Sequence, residues 1–282
     1  MNRIAIITDT SSNLDFNICK KYGINMIPYN INIENNTFKD LVTISSKELF
    51  DAIVEKDVLT SIPSPNDIQE FIENLHNEGF NKMLFFTTSS EITGMCNLIT
   101  LVSKEFNNID IKVLDTKNTG IPVGLISIYA KNLVDNDIEF NIIYDDCKNL
   151  LQNMNVYALF RTLKYVVKGG RLPKWKGSIG DFLKIQPIAT IQNGEVYIKE
   201  KLRGIQASRK RLVEIIKEDL KNAKRYYFGV FNGINEDELA YLKEELKDII
   251  QNSEIFVESI LGAALGVHGG PETVGCGYLI IE

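Results

Sequence analysis

The sequence predicts an α/β protein of two domains: an N-terminal, mostly parallel α/β sheet domain over residues 1–150 and a C-terminal α+β domain over residues 151–282. Short apolar strands alternate with amphipathic helices in the first half, which is typical of a parallel sheet with right-handed crossovers. In the second half, Asn193 and Gly194 separate two strand-like runs and predict an antiparallel hairpin. The length of 282 residues also suits two hydrophobic cores better than one.

Composition excludes several classes of function. A net charge of −6 and a pI near 5.2 argue against a general binder of nucleic acid or anionic membranes. No apolar run has the length of a signal peptide or an integral membrane segment, so we expect a cytoplasmic protein. Four scattered cysteines and two histidines predict free thiols, with neither a metal site nor a cofactor.

The first elements follow from local patterns. Residues 3–8 are mostly isoleucine and predict a strand buried on both faces, followed by a polar turn over residues 9–13 and a short helix that runs through residues 19–22. Residues 24–33 read as a second strand. Glu48 follows Ser45 by three residues, which is a capping box for a second helix. Ser64 and Pro65 open a third helix that Gly79 closes.

A buried strand at residues 83–86 organises the N-terminal half. A cluster of hydroxyl side chains follows it at residues 87–93, immediately before a helix over about residues 97–106. The next strand, at residues 111–114, also ends in polar residues, 115–120. Because the carboxyl ends of parallel strands share one edge of a sheet, these polar ends predict one ligand crevice. Hydroxyls and free N–H groups at a helix start favour a carboxylate or phosphate there.

Beyond a helix over about residues 140–152, the pattern changes to that of an α+β domain. Strands are predicted near residues 156–160, 187–192, 195–202, 226–231, 255 and 277–281, and helices at 163–167, 205–222 and 236–250. His268 stands in a glycine-rich stretch, which predicts a loop where backbone can approach a ligand closely.

The candidate chemistry has an enzymatic and a binding interpretation. Ser61 or Ser90 with His268 as a base would make a hydrolase, but no G-x-S-x-G elbow is present and no acidic partner for His268 can be identified. Hydroxyl clusters also cap helices and close turns without any ligand. Lys168, Arg171, Lys174 and Lys176 form a basic stretch without a Walker lysine motif, so they indicate a solvated face or a docking surface.

Five short motifs occur in a fixed order along the chain. They are Thr8-Asp9-Thr10-Ser11-Ser12, Thr60-Ser61-Ile62-Pro63-Ser64, Ser89-Ser90-Glu91-Ile92-Thr93-Gly94, Lys168-Gly169-Gly170-Arg171 and the stretch around His268. Together they resemble the DegV family of bacterial fatty-acid-binding proteins, from Arg3 to the C-terminus. The resemblance implies a DegV-like (EDD) fold that encloses one long-chain fatty acid, such as palmitate, in a tunnel between two domains. It also implies a lipid carrier that presents the carboxylate to a fatty acid kinase.

The resemblance assigns roles by motif. Thr60 and Thr93 would hydrogen-bond the fatty acid carboxylate, and Ser61, Ser90 and His268 would complete the polar site. Arg171 and Arg203 would lie near its mouth and serve the partner kinase in phosphotransfer. Glu91 stands where the family has glycine, and Gly269 stands where a threonine usually follows the histidine.

The sequence therefore predicts a fatty acid carrier with no catalytic residue of its own. Two alternatives remain open at this point: an enzyme acting on acyl or phosphoryl groups through Ser90 and His268, and a binding or regulatory module for another apolar carboxylate.

Overall fold

The structure is a computed structural model that describes residues 3–172 and 185–282. Its first sheet has four strands in the order β2-β1-β6-β7, formed by β1 (Arg3–Asp9), β2 (Asn25–Ile27), β6 (Phe80–Thr87) and β7 (Asp110–Asp115). All neighbouring strands in this sheet are parallel. Side chains along β1 and β6 are buried on both faces, as the runs of apolar residues predicted. The predicted parallel α/β sheet is confirmed.

A small antiparallel sheet, with the order β4-β3-β5, stands beside it. Its strands are β3 (Asn30–Ile33), β4 (Asn36–Lys39) and β5 (Val58–Ser61). The prediction of one strand over residues 24–33 is therefore wrong. Pro28 separates β2 from β3, and because proline has no backbone N–H to donate to a ladder, the chain leaves the parallel sheet there and enters the small one.

The C-terminal half forms a six-stranded mixed sheet in the order β10-β9-β8-β13-β11-β12. Its strands are β8 (Met154–Leu159), β9 (Ile185–Gln192), β10 (Glu195–Arg203), β11 (Tyr226–Asn232), β12 (Ile255–Ile260) and β13 (Val274–Ile280). Only β11 and β12 pair in parallel. The predicted hairpin is confirmed: Asn193 and Gly194 both have positive φ, 52° and 81°, as a two-residue type I′ turn requires.

Eleven helices occur in the described ranges. They are α1 (Phe16–Tyr22), α2 (Ser46–Glu55), α3 (Pro65–Asn77), α4 (Met95–Ser103), α5 (Ile121–Asp135), α6 (Phe140–Leu150), α7 (Lys164–Lys168), α8 (Ile205–Leu220), α9 (Glu236–Glu245), α10 (Lys247–Asn252) and α11 (Ala263–Gly269). The capping box of Ser45 and Glu48 is confirmed. Two expectations are wrong: the helix over residues 236–250 is interrupted at Leu246, and His268 lies in α11 instead of a loop.

Helix α5 connects the two larger sheets. It packs on β1 and β6 on one side and on β8, β11 and β13 on the other. Ile121 is fully buried against two strand glycines: a Cβ on Gly229 would lie 2.4 Å from its Cγ1, and one on Gly277 would lie 2.7 Å from its Cγ2. Side chains at these two positions would push the helix off the sheet.

Helix α11 returns the end of the chain to the first sheets. Its N-terminal N–H groups at Ala263 and Ala264 donate to the two carboxylate oxygens of the fully buried Asp40, at 2.8 and 2.9 Å. One hydrophobic cluster also spans both halves, from Phe86 to Phe231. The boundary at residue 150 stays a prediction.

None of the helices within residues 3–172 and 185–282 combines the length and the apolar character needed to cross a membrane.

Candidate functional site

An apolar cavity lies where the C-terminal end of the parallel sheet faces the six-stranded sheet. Its empty volume is about 680 Å³ including the open mouth. Most of the wall is hydrocarbon, contributed by Val156, Phe160, Val166, Ala189, Ile191 and Phe231. Polar residues are confined to a few positions, which include Thr119, Arg171 and His268. The cavity is suited to an elongated apolar molecule with one polar end.

His268 stands at the polar end, on the last turn of α11. Its Nε2 shares a hydrogen bond of 3.2 Å with the hydroxyl of Thr60 on β5. Its Nδ1 is buried, and no described residue gives that atom a hydrogen-bond partner. A Cβ on Gly169 would lie 2.1 Å from Nδ1, so the absence of a side chain there lets the backbone after α7 cover the ring. Burial and then the charge of Arg171 lower the pKa of His268 to about 4, so the imidazole is neutral at pH 7.

Arg171 supplies the positive charge of this end. Its Nη1 donates to the carbonyl of Gly169 at 2.7 Å, which holds the side chain against the cavity wall. Its charge lowers the pKa of His268. It also acts to lower the pKa of Tyr29, but burial has the larger and opposite effect, so the pKa of Tyr29 is raised. A neutral histidine beside a cation favours an anionic ligand group here.

Thr93 meets a tyrosine that sequence reasoning missed. The hydroxyl of Tyr29 shares a hydrogen bond of 3.0 Å with that of Thr93, which follows the cavity-lining Ile92. Tyr29 is 5 % exposed, and it also hydrogen-bonds Ser11. No local signal marks Tyr29, because the predicted strand over residues 24–33 placed it in the middle of a ladder.

A chain of hydroxyls runs along the carboxyl ends of β1, β6 and β7. The hydroxyl of Ser11 donates to Asp9 and also contacts the hydroxyl of Thr88, which lies 3.3 Å from that of Thr119. Asp9, Ser11 and Thr88 are buried, whereas Thr119 lines the cavity. The polar strand ends lie together, but of these four residues only Thr119 lines the cavity, and sequence analysis gave none of the four a role.

Asp9 is held in an environment that disfavours its charge. Burial is the largest effect, and it exceeds the opposing hydrogen bonds from the Ser11 side chain, the Ser11 N–H and the Thr88 N–H, so the pKa of Asp9 rises from 3.8 to about 6. A carboxyl group whose pKa is higher in the folded state than in the unfolded state destabilises the fold at pH values above its folded-state pKa. At pH values below its unfolded-state pKa it has no effect.

Replacing Asp9 with asparagine should therefore stabilise the ligand-free protein in a pH-dependent way. We expect the free energy of unfolding of Asp9→Asn to exceed that of the parent by up to about 3 kcal/mol at pH 8. The difference should shrink as the pH falls from 6 to 4, because folded Asp9 is then protonated and the unfolded carboxyl, whose pKa is 3.8, approaches protonation as well. Urea titrations of both proteins at pH 4, 6 and 8 measure it, and a difference that stays constant over this range would contradict the assignment.

The remaining candidates lie elsewhere. Ser61 is exposed and accepts from Asn32 at 3.1 Å; as the neighbour of Thr60 on a strand, it points to the opposite face. Ser90 accepts from Lys117 at 2.9 Å and does not line the cavity. Neither serine contacts His268, so the nucleophile and base pair of the enzymatic alternative is not formed.

The charged candidates also differ in whether they line the cavity. Arg171 lines the cavity, whereas Arg203 is exposed at the end of β10 and does not. Glu91 is exposed and forms an ion pair with Lys117 at 3.3 Å, so its negative charge is directed away from the cavity. Lys168 is paired with Asp57. Lys174 and Lys176 lie outside the described residues.

A surface groove opens on the same polar end. It has an empty volume of about 530 Å³ and shares Arg171 and His268 with the apolar cavity. Thr60, Leu59 and Lys164 complete its floor and rim. Within residues 3–172 and 185–282, this groove is a second approach to the polar end besides the hydrocarbon part of the cavity.

Comparison with known proteins gives a consistent result. A family model described as an uncharacterised protein of the DegV family matches residues 3–280. A DegV domain-containing protein of Clostridium acetobutylicum is 32% identical over 276 residues, with 98% of each chain covered. A fatty acid-binding protein of Thermotoga maritima is 26% identical, with 99% of each chain covered. The crystal structure of DegV, a fatty acid binding protein from Bacillus subtilis, superposes with a TM-score of 0.90 at 22% identity, covering 99% of this chain and 100% of that one.

Proposed function

Since the chain belongs to the DegV family, whose members include fatty-acid-binding proteins, we propose that it binds one long-chain fatty acid with the tail in the apolar cavity. The carboxylate lies at the polar end, near Thr60, Thr93, His268 and Arg171. The observation that carries the proposal is the layout of the cavity: a hydrocarbon wall ends at a neutral histidine and a cation. That layout matches a long tail with a single anionic group.

The tail provides most of the affinity. Each buried methylene contributes about 0.8 kcal/mol, so some fourteen methylenes offer on the order of 10 kcal/mol before the costs of association. A neutral hydrogen bond contributes only about 1 kcal/mol net. Thr60 and Thr93 therefore set the position of the carboxylate more than the strength of binding. A different apolar carboxylate would satisfy the same polar end but would have to fit the same wall.

The protein acts as a carrier and not as an enzyme in this proposal. Neither Ser61 nor Ser90 contacts His268, whereas the surface groove is lined by both Arg171 and His268. A partner that acts on the carboxylate would approach through this groove. The groove supports a fatty acid kinase as that partner, because phosphoryl transfer needs positive charge near the developing negative charge and Arg171 supplies it.

Lipid extraction tests the binding step. The purified protein is analysed by native mass spectrometry before and after organic extraction, and the delipidated protein is then titrated with palmitate, oleate and hexadecanol. We expect one bound fatty acid per chain, with the alcohol binding more weakly. A protein that carries no lipid and binds neither acid would contradict the proposal, and so would one that hydrolyses acyl esters. If a different carboxylate co-purifies, that molecule and not a fatty acid is the ligand.

The two arginines should differ in their effects. Arg171→Ala should still retain fatty acid, because the tail dominates the affinity, with a dissociation constant raised roughly three- to tenfold by the loss of a charge near the carboxylate. It should also slow acyl phosphate formation when the preloaded protein meets a DegV-associated fatty acid kinase. Arg203→Ala, exposed and outside the cavity, should bind like the parent. Fluorescence titration and kinase turnover per loaded protein are the measurements, and equal affinities of the two variants for palmitate would remove Arg171 from the site.

A further inference from the structure

A chain of hydrogen bonds runs from Asp9 through Ser11 and Thr88 to Thr119. The protonation state of Asp9 fixes which group donates in each of these bonds. A hydroxyl has one proton to donate. When Asp9 is ionised it can only accept, so Ser11 gives its proton to Asp9 and its oxygen is left to accept from Thr88. The proton of Thr88 is then donated to Ser11, and the Thr88 oxygen accepts when the Thr119 hydroxyl, 3.3 Å away, donates to it. In that state Thr119 presents only lone pairs to the cavity.

A carboxylate next to Thr119 would therefore face an oxygen that repels it. Protonation of Asp9 removes this conflict. Asp9 then donates to Ser11, Ser11 to Thr88, Thr88 to Thr119, and Thr119 to the ligand. The change takes up one proton from solvent, breaks no covalent bond, and needs only rotation of three hydroxyls about their Cβ–O bonds.

We propose that Asp9 is a positioning residue for the carboxylate site, which binds its ligand together with one proton by reversing the chain of Ser11, Thr88 and Thr119. This inference rests on the proposed binding of a fatty acid and adds a specific chemistry to it. Asp9 does not touch the ligand, and it acts through the three hydroxyls. The ligand class it selects is a carboxylate that accepts a hydrogen bond at Thr119 within a largely apolar wall.

The charged and titratable groups around Asp9 leave it as the proton acceptor. His268 has its pKa lowered to about 4 and stays neutral above pH 6, and Tyr29 has its pKa raised well above 10. Arg171 keeps its charge throughout. Among the described residues, Asp40 is the carboxyl whose charge acts on Asp9. Burial raises the pKa of Asp40, but its oxygens accept from the N–H groups at the start of α11, so it stabilises the fold and does not belong to the hydroxyl chain. Its negative charge further favours protonation of Asp9.

The sign of the effect follows from linkage. A bound carboxylate favours the neutral form of Asp9, so it raises the pKa of Asp9 above the value of about 6 in the free protein. Binding then takes up a proton at pH 7 and weakens as the pH rises. The dissociation constant should increase roughly tenfold between pH 6 and pH 8 if the bound pKa is about one and a half units higher. A ligand with no charge should show neither effect.

Calorimetry of the delipidated protein tests this directly. Dodecanoate is titrated at pH 7 in phosphate and in Tris, whose ionisation enthalpies differ, and the difference gives the number of protons taken up. We expect roughly half a proton or more per dodecanoate, and none for dodecanol. Asp9→Asn should bind dodecanoate with no proton uptake and with one affinity from pH 6 to pH 8. Asp146→Asn, which alters a carboxylate that accepts from Tyr129 outside the site, should retain the uptake of the parent.

Thr119→Val distinguishes reversal of the hydroxyl chain from a direct effect of the Asp9 charge on the ligand. This variant keeps Asp9 and the shape of the wall but removes the last hydroxyl, so it should lose most of the proton uptake and should bind dodecanoate about as weakly at pH 6 as the parent does at pH 8. Undiminished uptake in Thr119→Val, or uptake that persists in Asp9→Asn, would overturn the proposal. Binding of dodecanoate without any proton uptake would overturn it while leaving the proposed function intact. A protein that binds neither dodecanoate nor palmitate at pH 6 would refute the proposed function itself.

Discussion

Ala189→Phe should abolish the binding of long-chain fatty acids without unfolding the protein. Ala189 is 3% exposed on β9, pairs with Ala158 of β8, and contributes to the wall of the cavity. A phenyl ring in this position occupies the space of about four methylenes, and at about 0.8 kcal/mol each the loss is about 3 kcal/mol, or more than a hundredfold in the dissociation constant. Titration of the delipidated variant with palmitate measures the loss.

The same substitution at Ala207 is the matched control. Ala207 is exposed on α8 and lies outside the cavity, so Ala207→Phe should bind palmitate like the parent. The free energy of unfolding of Ala189→Phe should fall by no more than about 1–3 kcal/mol, because part of the ring extends into the cavity and the rest crowds buried neighbours. If Ala189→Phe binds palmitate within threefold of the parent affinity, the tail does not occupy this cavity.

Asp40→Ala should lower the free energy of unfolding more than the other substitutions proposed here, and it should also weaken ligand binding. It leaves the N–H groups of Ala263 and Ala264 without their acceptors at a buried helix start. Each buried unpaired N–H costs about 1–3 kcal/mol, and loss of the buried charge offsets part of this, so we expect a net loss of about 3 kcal/mol in the free energy of unfolding. Because α11 carries His268 and Leu265 into the cavity wall, palmitate affinity should fall at least tenfold.

Asp15→Ala is the matched control for this effect. Asp15 also caps a helix, since its carboxylate accepts from the N–H of Ile18 at 2.7 Å, but it is partly exposed at the start of α1 and away from the cavity. Its loss should cost about 1 kcal/mol and should leave palmitate binding unchanged. Asp40→Asn, which keeps one acceptor oxygen, should fall between the parent and Asp40→Ala. Urea titrations give the stabilities, and equal losses for Asp15→Ala and Asp40→Ala would contradict the role given to Asp40.

Features set by neighbours in sequence could be predicted well. The isoleucines of β1 predicted a doubly buried strand, Ser45 and Glu48 predicted a capped helix, and Asn193 with Gly194 predicted the hairpin. Each of these depends on side-chain periodicity or on backbone preferences over fewer than ten residues. Helix α5 was missed for a related reason: it is buried on almost every side, so its sequence has no polar stripe to reveal a helical period.

The resemblance and the polar strand ends predicted that several hydroxyls converge at one edge of the sheet, but only the tertiary structure decided which of them meet there. Thr60 lies beside His268, 208 residues away in sequence, while Ser61 next to it turns outward because successive residues of a strand face opposite sides. Tyr29 joins Thr93 because Pro28 diverts the chain into a second sheet.

The sequence by itself thus determined most of the elements and the family, and it predicted a polar site of hydroxyls with a histidine and an arginine. The tertiary structure decided that His268 lies in a helix held by Asp40, and that Asp9 connects to the cavity through three hydroxyls. The physical reason is that strand register, burial and the direction of a hydrogen bond depend on partners tens to hundreds of residues away. No local pattern specifies those partners.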